Sequence, residues 1–184
     1  MTAAKKTLLF NGFLMNVVGH VSAGLWRHPE DRASEYTTLG YWTHIASLLD
    51  EAGFDAMFIA DALGQIDVYQ GKPDAALRTA AQSPVNDPLL LVSAMAAATR
   101  QLSFGITVST TYEHPYLLAR KFTTLDHLTN GRVAWNIVTS VLESAARNLG
   151  LERQMDHDER YERAQEFLEV TYKLWEGSWE EDAV

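Results

Sequence analysis

The chain has no cysteine, which excludes disulfides, thiolate metal sites and a thiol nucleophile and leaves the redox compartment unconstrained. It also has no cluster of Lys and Arg: 15 basic residues stand against 24 acidic ones, for a formal net charge of −9. Without a basic patch to meet phosphates or anionic headgroups, nucleic acid and membrane surfaces are excluded as partners, and small molecules or proteins are favoured. No apolar run reaches the length of a membrane span. Lys5-Lys6 followed by a mostly apolar stretch and Val21-Ser22-Ala23 has the outline of a secretory leader, but Asn11, Gly12, Asn16 and His20 interrupt the apolar core a leader needs. The stretch therefore reads as a first strand and its loop, in a cytoplasmic protein. Motif chemistry is sparse as well. G-x-S-x-G, GxxxxGK[ST], H-E-x-x-H and G-x-G-x-x-G are all missing. The six histidines are scattered, so a metal site could arise only by tertiary assembly, and none is assigned.

What is present is a chain of 184 residues, 47% of them hydrophobic, enough for one globular domain over 1–184 or for part of a larger one. Leu8–Phe13 reads as a first buried strand, and 17–32, with Gly19, Gly24 and Pro29, as a long loop carrying His20 and Trp26. For both of these side chains, packing is the ordinary role. Over 38–52, Tyr41, Ile45, Leu48, Leu49 and Ala52 recur at helical spacing until Gly53 stops the helix. Phe54–Asp61 is the second strand, and its terminal Asp61 is either a turn former or a ligand contact, since no cation lies near it in sequence. The stretch 62–88, broken by Gly64, Gly71, Pro73, Pro84 and Pro88, reads as a loop crossing over a pocket. Asp87-Pro88 then starts a uniformly apolar helix, with Asp87 as its cap.

Leu102–Thr110 is the third strand, where alternation sets Thr107 and Ser109 on one side and Phe104, Ile106 and Val108 on the other. A helix opened by Pro115 carries the stripe Leu118, Phe122, Leu125, Leu128, and the turn Thr129-Asn130-Gly131 leads into a fourth strand, Arg132–Val138. Asn136 in that apolar strand needs a hydrogen-bond partner, either backbone or a bound ligand, and Thr139-Ser140 just beyond it favours the ligand. Asp156 and Glu159 form a capping-box pattern for a last helix with Tyr161, Ala164, Leu168, Tyr172 and Trp175 on one face. His157 and Tyr161, four apart, share one side of its first turn. Strand and helix thus alternate four times, the βα pattern of a parallel sheet. Because a (β/α)8 barrel takes about 250 residues, the chain is expected to be its first half.

Phe58-Ile-Ala-Asp61, Thr107 to Tyr116, Leu125 to Ser140 and His157-Asp-Glu-Arg-Tyr161 resemble, in order, the bacterial-luciferase-like flavin monooxygenases, nearest the nitrilotriacetate, sulfone and long-chain alkane group. Asn16 to His20, Gly24 to Pro29 and Trp175 to Trp179 are most similar to the alkane branch. The resemblance implies an α/β fold of TIM-barrel type covering about the first four βα units, with FMN bound at the carboxyl-terminal mouth. It further implies reduced FMN supplied by a separate flavin reductase, and O2 used to oxygenate a small or long-chain organic substrate. Position by position, Asp61, Thr107, Asn136, His157 and Tyr161 match flavin-contacting residues, while His20 and Gln82 fall on the substrate side as catalytic candidates. Val17, Ile66 and Val141 stand where the alkane branch has Cys, Tyr and His, which implies a less polar pocket. A half barrel alone would leave strand edges open, so a homo-oligomer is expected. Two other readings remain: a catalytically inactive half barrel serving as a flavin-binding or assembly module, and a barrel-type hydrolase using Asp61 with a metal.

Overall fold

The computed structural model describes residues 8–20, 24–178 and 180. Four strands, β1 (Asn11–Met15), β2 (Ala56–Ala60), β3 (Ser103–Ser109) and β4 (Val133–Val138), form one parallel sheet in chain order. Helices α1 (Leu39–Glu51), α2 (Asp74–Thr79), α3 (Val92–Ala97), α4 (Pro115–Thr129), α5 (Glu143–Asn148) and α6 (His157–Glu176) lie between and after the strands. This is the α/β arrangement of successive βα units expected from the alternation. No described helix is long and apolar enough to cross a membrane.

One face of the sheet makes the core. Met57, Ile59, Phe104 and Ile106 are fully buried there against Trp42 and Ala46 of α1, Val92 and Met95 of α3, and Leu118 and Phe122 of α4. Trp135 of β4 is ringed by Phe122, Phe167 and Trp175 at centroid distances of 6.0, 5.9 and 6.4 Å, which seats α6 against α4. The other face carries Phe13, Phe58, Gly105, Thr107 and Asn136 in register and is only partly covered: Phe13 is 54% exposed.

The amino-terminal end of the sheet is tied by two charged groups. Asp50 on α1 accepts the backbone N–H groups of Arg100, Gln101 and Leu102 at 2.7–2.9 Å, and these bonds hold its carboxyl below the ordinary carboxylate range. Arg132, just before β4, donates to the carbonyls of Ala96, Leu102 and Thr129 and to the Thr99 hydroxyl at 2.9–3.0 Å. Two of those carbonyls lie at the last turns of α3 and α4, where a cation is favoured.

Several expectations shift. The first strand runs Asn11–Met15, not Leu8–Phe13, because pairing with β2 begins at Asn11; Leu8, Leu9 and Phe10 lie exposed ahead of it. On α1 the buried residues are Trp42 and Ala46, with Leu48 exposed, and on α4 Thr129 is buried while Leu128 is 65% exposed. The buried face of α6 is Arg160, Ala164, Phe167 and Thr171, one residue round from the expected stripe, so Tyr161 and Tyr172 face outward. Asp156 makes no side-chain capping bond, and only its backbone carbonyl enters the helix, accepting from Arg160. Asp87 does cap as expected: its Oδ1 accepts the Leu89 N–H at 2.8 Å. The crossing stretch 62–88 contains α2 and is stitched to the loop after β1, with Asn86 bonded to the Asn16 carbonyl and Trp26 to the Thr79 carbonyl. Helix α5 was too short for periodicity to reveal.

Candidate functional site

In a parallel sheet all the strands end on one side, and ligands are taken up just beyond those ends. Asp61 is the first residue past β2, and Ala62 donates its N–H to Asp61 Oδ1 at 2.8 Å. Burial raises the Asp61 carboxyl to about 6; the Ala62 bond opposes this and nearby Asp87 adds to it. Among the described residues no salt bridge to Asp61 offsets the desolvation, so the carboxyl keeps its proton well above the ordinary carboxylate range.

Thr107 of β3 and Asn136 of β4 stand opposite each other in register, and Asn136 Nδ2 donates to Thr107 Oγ1 at 2.9 Å. The carboxamide's partner is thus a hydroxyl on the neighbouring strand. One layer further along, the Ser140 and Ser109 hydroxyls are 2.8 Å apart, Thr111 donates its N–H to Ser109 Oγ at 3.2 Å, and Thr111 Oγ1 donates to the Thr139 carbonyl at 2.5 Å. These bonds carry the cohesion of β3 and β4 past the ladder into the loops. Ser140 sits at φ 56°, an uncommon conformation for a residue with a Cβ. The buried Arg160 guanidinium donates to the Ser140 carbonyl and, at 3.1 Å, to the Met155 carbonyl, fixing the loop from below. Beside it on α6, His157 and Tyr161 have ring centroids 4.9 Å apart, and His157 Nδ1 lies 2.8 Å from an Asp158 carboxylate oxygen.

A cavity of about 550 Å³ opens between Asp61–Leu63 after β2, Val138–Leu142 after β4, and Tyr161, Ala164 and Leu168 of α6. A second of about 140 Å³ is bounded by Asp61, Asp87, Thr107, Ser109, Glu113 and Lys121. Asp61 lines both. The larger one mixes a carboxyl and hydroxyls with aliphatic walls, including Val141, the composition expected of a small-molecule site.

The structure places Asp61 and Tyr161 on the larger cavity and Asp61 and Thr107 on the smaller; Asn136, bonded to Thr107, and His157, with its ring tilted 38° to that of Tyr161, line neither. His20 and Gln82 form a separate pair: Gln82 donates through Nε2 to the His20 carbonyl at 3.3 Å and through its backbone N–H to the Gly19 carbonyl at 2.9 Å. The His20 ring stands edge-on to Phe13 at 4.7 Å, and partial burial lowers its pKa. Neither residue lines either cavity. Among the described residues no three His, Asp or Glu side chains converge as a metal site would require. Arg160 went unnoticed in the sequence, although its spacing to Ala164, Phe167 and Thr171 follows a buried helical face.

A family profile described as luciferase-like monooxygenase matches residues 20–183. Over 179 residues the chain is 58% identical to the long-chain alkane monooxygenase of Geobacillus thermodenitrificans, covering 97% of this chain and 41% of that protein. Over 180 residues it is 57% identical to the dimethyl-sulfide monooxygenase of Hyphomicrobium sulfonivorans, covering 98% and 38%. The crystal structure of a long-chain alkane monooxygenase superposes with a TM-score of 0.95 at 57% identity, over 98% of this chain and 42% of that one. A riboflavin lyase crystallised with modified FMN and riboflavin superposes with a TM-score of 0.90 at 39% identity, over 97% and 40%. The chain spans about two fifths of the length of these relatives. With its four parallel βα units, its cavity at the strand ends and these matches along nearly its whole length, the chain belongs to the luciferase-like monooxygenase family.

Proposed function

We propose that this chain, as residues 1–184 of an amino-terminal half barrel, contributes the flavin-binding wall of an FMN-dependent monooxygenase that oxygenates an organic substrate with O2. One observation carries the reading: Asp61, Ser140 and Tyr161, on three separate elements, line one cavity of about 550 Å³ at the strand ends of a chain 58% identical to a monooxygenase. The residues fit the cofactor. The cavity has the size of a small-molecule site. A carboxyl titrating at about 6 can act as hydrogen-bond donor or acceptor toward the polar edge of a flavin ring, and the Thr107–Asn136 pair and the Ser140 hydroxyl supply further polar contacts. Tyr161, with the His157 ring tilted against it at 4.9 Å, offers an aromatic surface near the amino terminus of α6. Asp61, Thr107, Asn136, His157 and Tyr161 would hold the cofactor in this reading, with His20 and Gln82 on the substrate side. When bound, reduced FMN supplies the two electrons that let O2 give one oxygen atom to the substrate and release the other as water. The protein's part is to orient both partners and, through Leu63, Leu142 and Leu168, to keep water out. A separate reductase would deliver the reduced flavin. The aliphatic walls favour apolar or weakly polar substrates.

The test is titration of the chain with oxidised and reduced FMN, followed by flavin fluorescence and absorbance. Saturable binding, weakened about tenfold or more by Asp61→Ala and by Asn136→Ala, is expected, since tenfold corresponds to about 1.4 kcal/mol, one modest hydrogen bond. Folded chain that binds no flavin would overturn the reading. It would favour the alternative of a half barrel acting as an assembly module, a reading that rests on the exposure of Phe13 on the partly covered sheet face.

A further inference from the structure

The loop after β2 is tied to the helix after β4, although those strands are separated in the sheet by β3. Gln65 donates its backbone N–H to Ser144 Oγ at 2.8 Å, and the same hydroxyl donates back to the Gln65 carbonyl at 2.8 Å. Asn148 Nδ2 donates to the Leu63 carbonyl at 3.0 Å. Gly64, between these anchors, is buried against the first turn of α5. A Cβ on Gly64 would stand 2.5 Å from Ser144 Oγ and 2.6 Å from the Ala145 backbone nitrogen, so the approach is open only to glycine. The Asp67–Arg147 ion pair nearby, at 3.6 Å and largely exposed on the Arg147 side, adds little.

We propose that Gly64 and Ser144 form a positioning clamp, which fixes Asp61 at the wall of the larger cavity, shields its carboxyl from water and thereby tunes ligand binding without touching the ligand. The geometric part concerns this chain alone; the effect on flavin affinity rests on the function proposed above. Ala62 and Leu63, between Asp61 and the clamp, line the same cavity as Leu142 and Ala145 on the other side, so the clamp sets the distance between the two walls. The charged and titratable groups around Asp61 are Asp87 from the crossing segment, Glu113 and Lys121 in the smaller cavity, and Tyr161 of α6 in the larger. None belongs to the clamp. Changing Ser144 leaves those groups as they are, so a change in Asp61 titration reports water access to the carboxyl.

The test follows the Asp61 carboxyl by carbon-13 NMR titration, and the Gln65 amide by hydrogen exchange, in the flavin-free chain and in Ser144→Ala, Asn148→Ala and Gly64→Ala. The Ser144→Ala change should speed Gln65 exchange about tenfold, as expected for loss of a hydrogen bond, and move the Asp61 midpoint down toward the ordinary carboxylate value. Asn148→Ala, at an exposed position, should move both the same way by less. If Gly64→Ala does not fold, these two variants decide the matter. An Asp61 midpoint and a Gln65 exchange rate indifferent to both would overturn the clamp. FMN titration of the same proteins, with Asp61→Ala as control, separates the two proposals. No FMN binding by wild type, with Asp61 still responding to Ser144→Ala, retains the clamp and removes the flavin reading. Flavin binding that is weakened by Asp61→Ala but indifferent to Ser144→Ala retains the site and removes the clamp's part in it.

Discussion

Asp61 is where burial and charge conflict most directly. Its carboxyl leaves water on folding, has one backbone N–H for compensation and faces Asp87, so its pKa rises from 3.8 to about 6. The folded chain therefore holds this proton more tightly than the unfolded chain. The resulting stabilisation is complete below about pH 4 and is lost as the pH rises through 6, an effect of about 2–3 kcal/mol by linkage. Asp61→Asn keeps the acceptor for Ala62 and removes the titration. Denaturant unfolding measured at pH 5 and pH 8 should show wild type losing stability relative to Asp61→Asn across that interval, and parallel curves would contradict the assignment. A chain that keeps such a residue sacrifices stability at neutral pH, a pattern common to groups held for binding or catalysis.

At the scale of elements, Arg132 joins parts that the sheet alone does not. Its guanidinium reaches four acceptors at once, on the last turns of α3 and α4, at Thr99, and at Leu102 just ahead of β3. An ammonium on a flexible stem has three donors and no planar fork, so it cannot reproduce this set. Arg132→Lys is expected to cost about 2–3 kcal/mol, mostly through buried carbonyls left unpaired. A fall in the thermal midpoint of several degrees would register it, whereas an unchanged midpoint would show that water replaces the lost bonds. Because this tie sits at the opposite end of the sheet from Asp61, the variant should alter stability far more than any ligand affinity measured in folded protein.

At the scale of the whole molecule, β1 and β4 are the two ends of the sheet order, and each has a neighbour on one side only. Such edges pair readily with other strands. The partly covered face adds Phe13, 54% exposed, and on the opposite face Ile137 of the edge strand β4 is 42% exposed. The chain by itself is therefore expected to associate at micromolar concentration, with a light-scattering mass at least twice the 20.6 kDa of the monomer. Phe13→Glu should shift it toward the monomer without unfolding it. A monomer under the same conditions would mean that the open edges and this face are not sticky enough to drive assembly.

The architecture could be read from local signals because they agree with one another. Gly53 and Asn130-Gly131, all at positive φ, end helices where the periodicity of the preceding residues ends, and the alternation of β3 sets Thr107 and Ser109 together on the face that meets Asn136. Boundaries were less legible, because strand limits depend on pairing: Leu8–Phe10 are apolar yet exposed and precede the ladder, and β1 starts only where β2 begins opposite it. Helix faces were also displaced by a residue: the polar Thr129 and Arg160 are buried while the more apolar Leu128 and Tyr161 beside them are exposed, because Thr129 and Arg160 find hydrogen-bond partners within the fold and hydrophobicity alone does not record this. Asp61, Thr107 and Asn136 were visible as polar groups in or at the ends of apolar strands. The bond between Asn136 and Thr107, the seating of Arg160 under Ser140 and the approach of Gly64 to Ser144 were not, because each joins residues 20 to 80 positions apart. Local hydrophobic patterning and turn chemistry were enough to determine four βα units. The partner of each polar group was decided only by the tertiary structure, since hydrogen bonds are short and directional and a linear sequence carries no record of which distant atoms come within 3 Å.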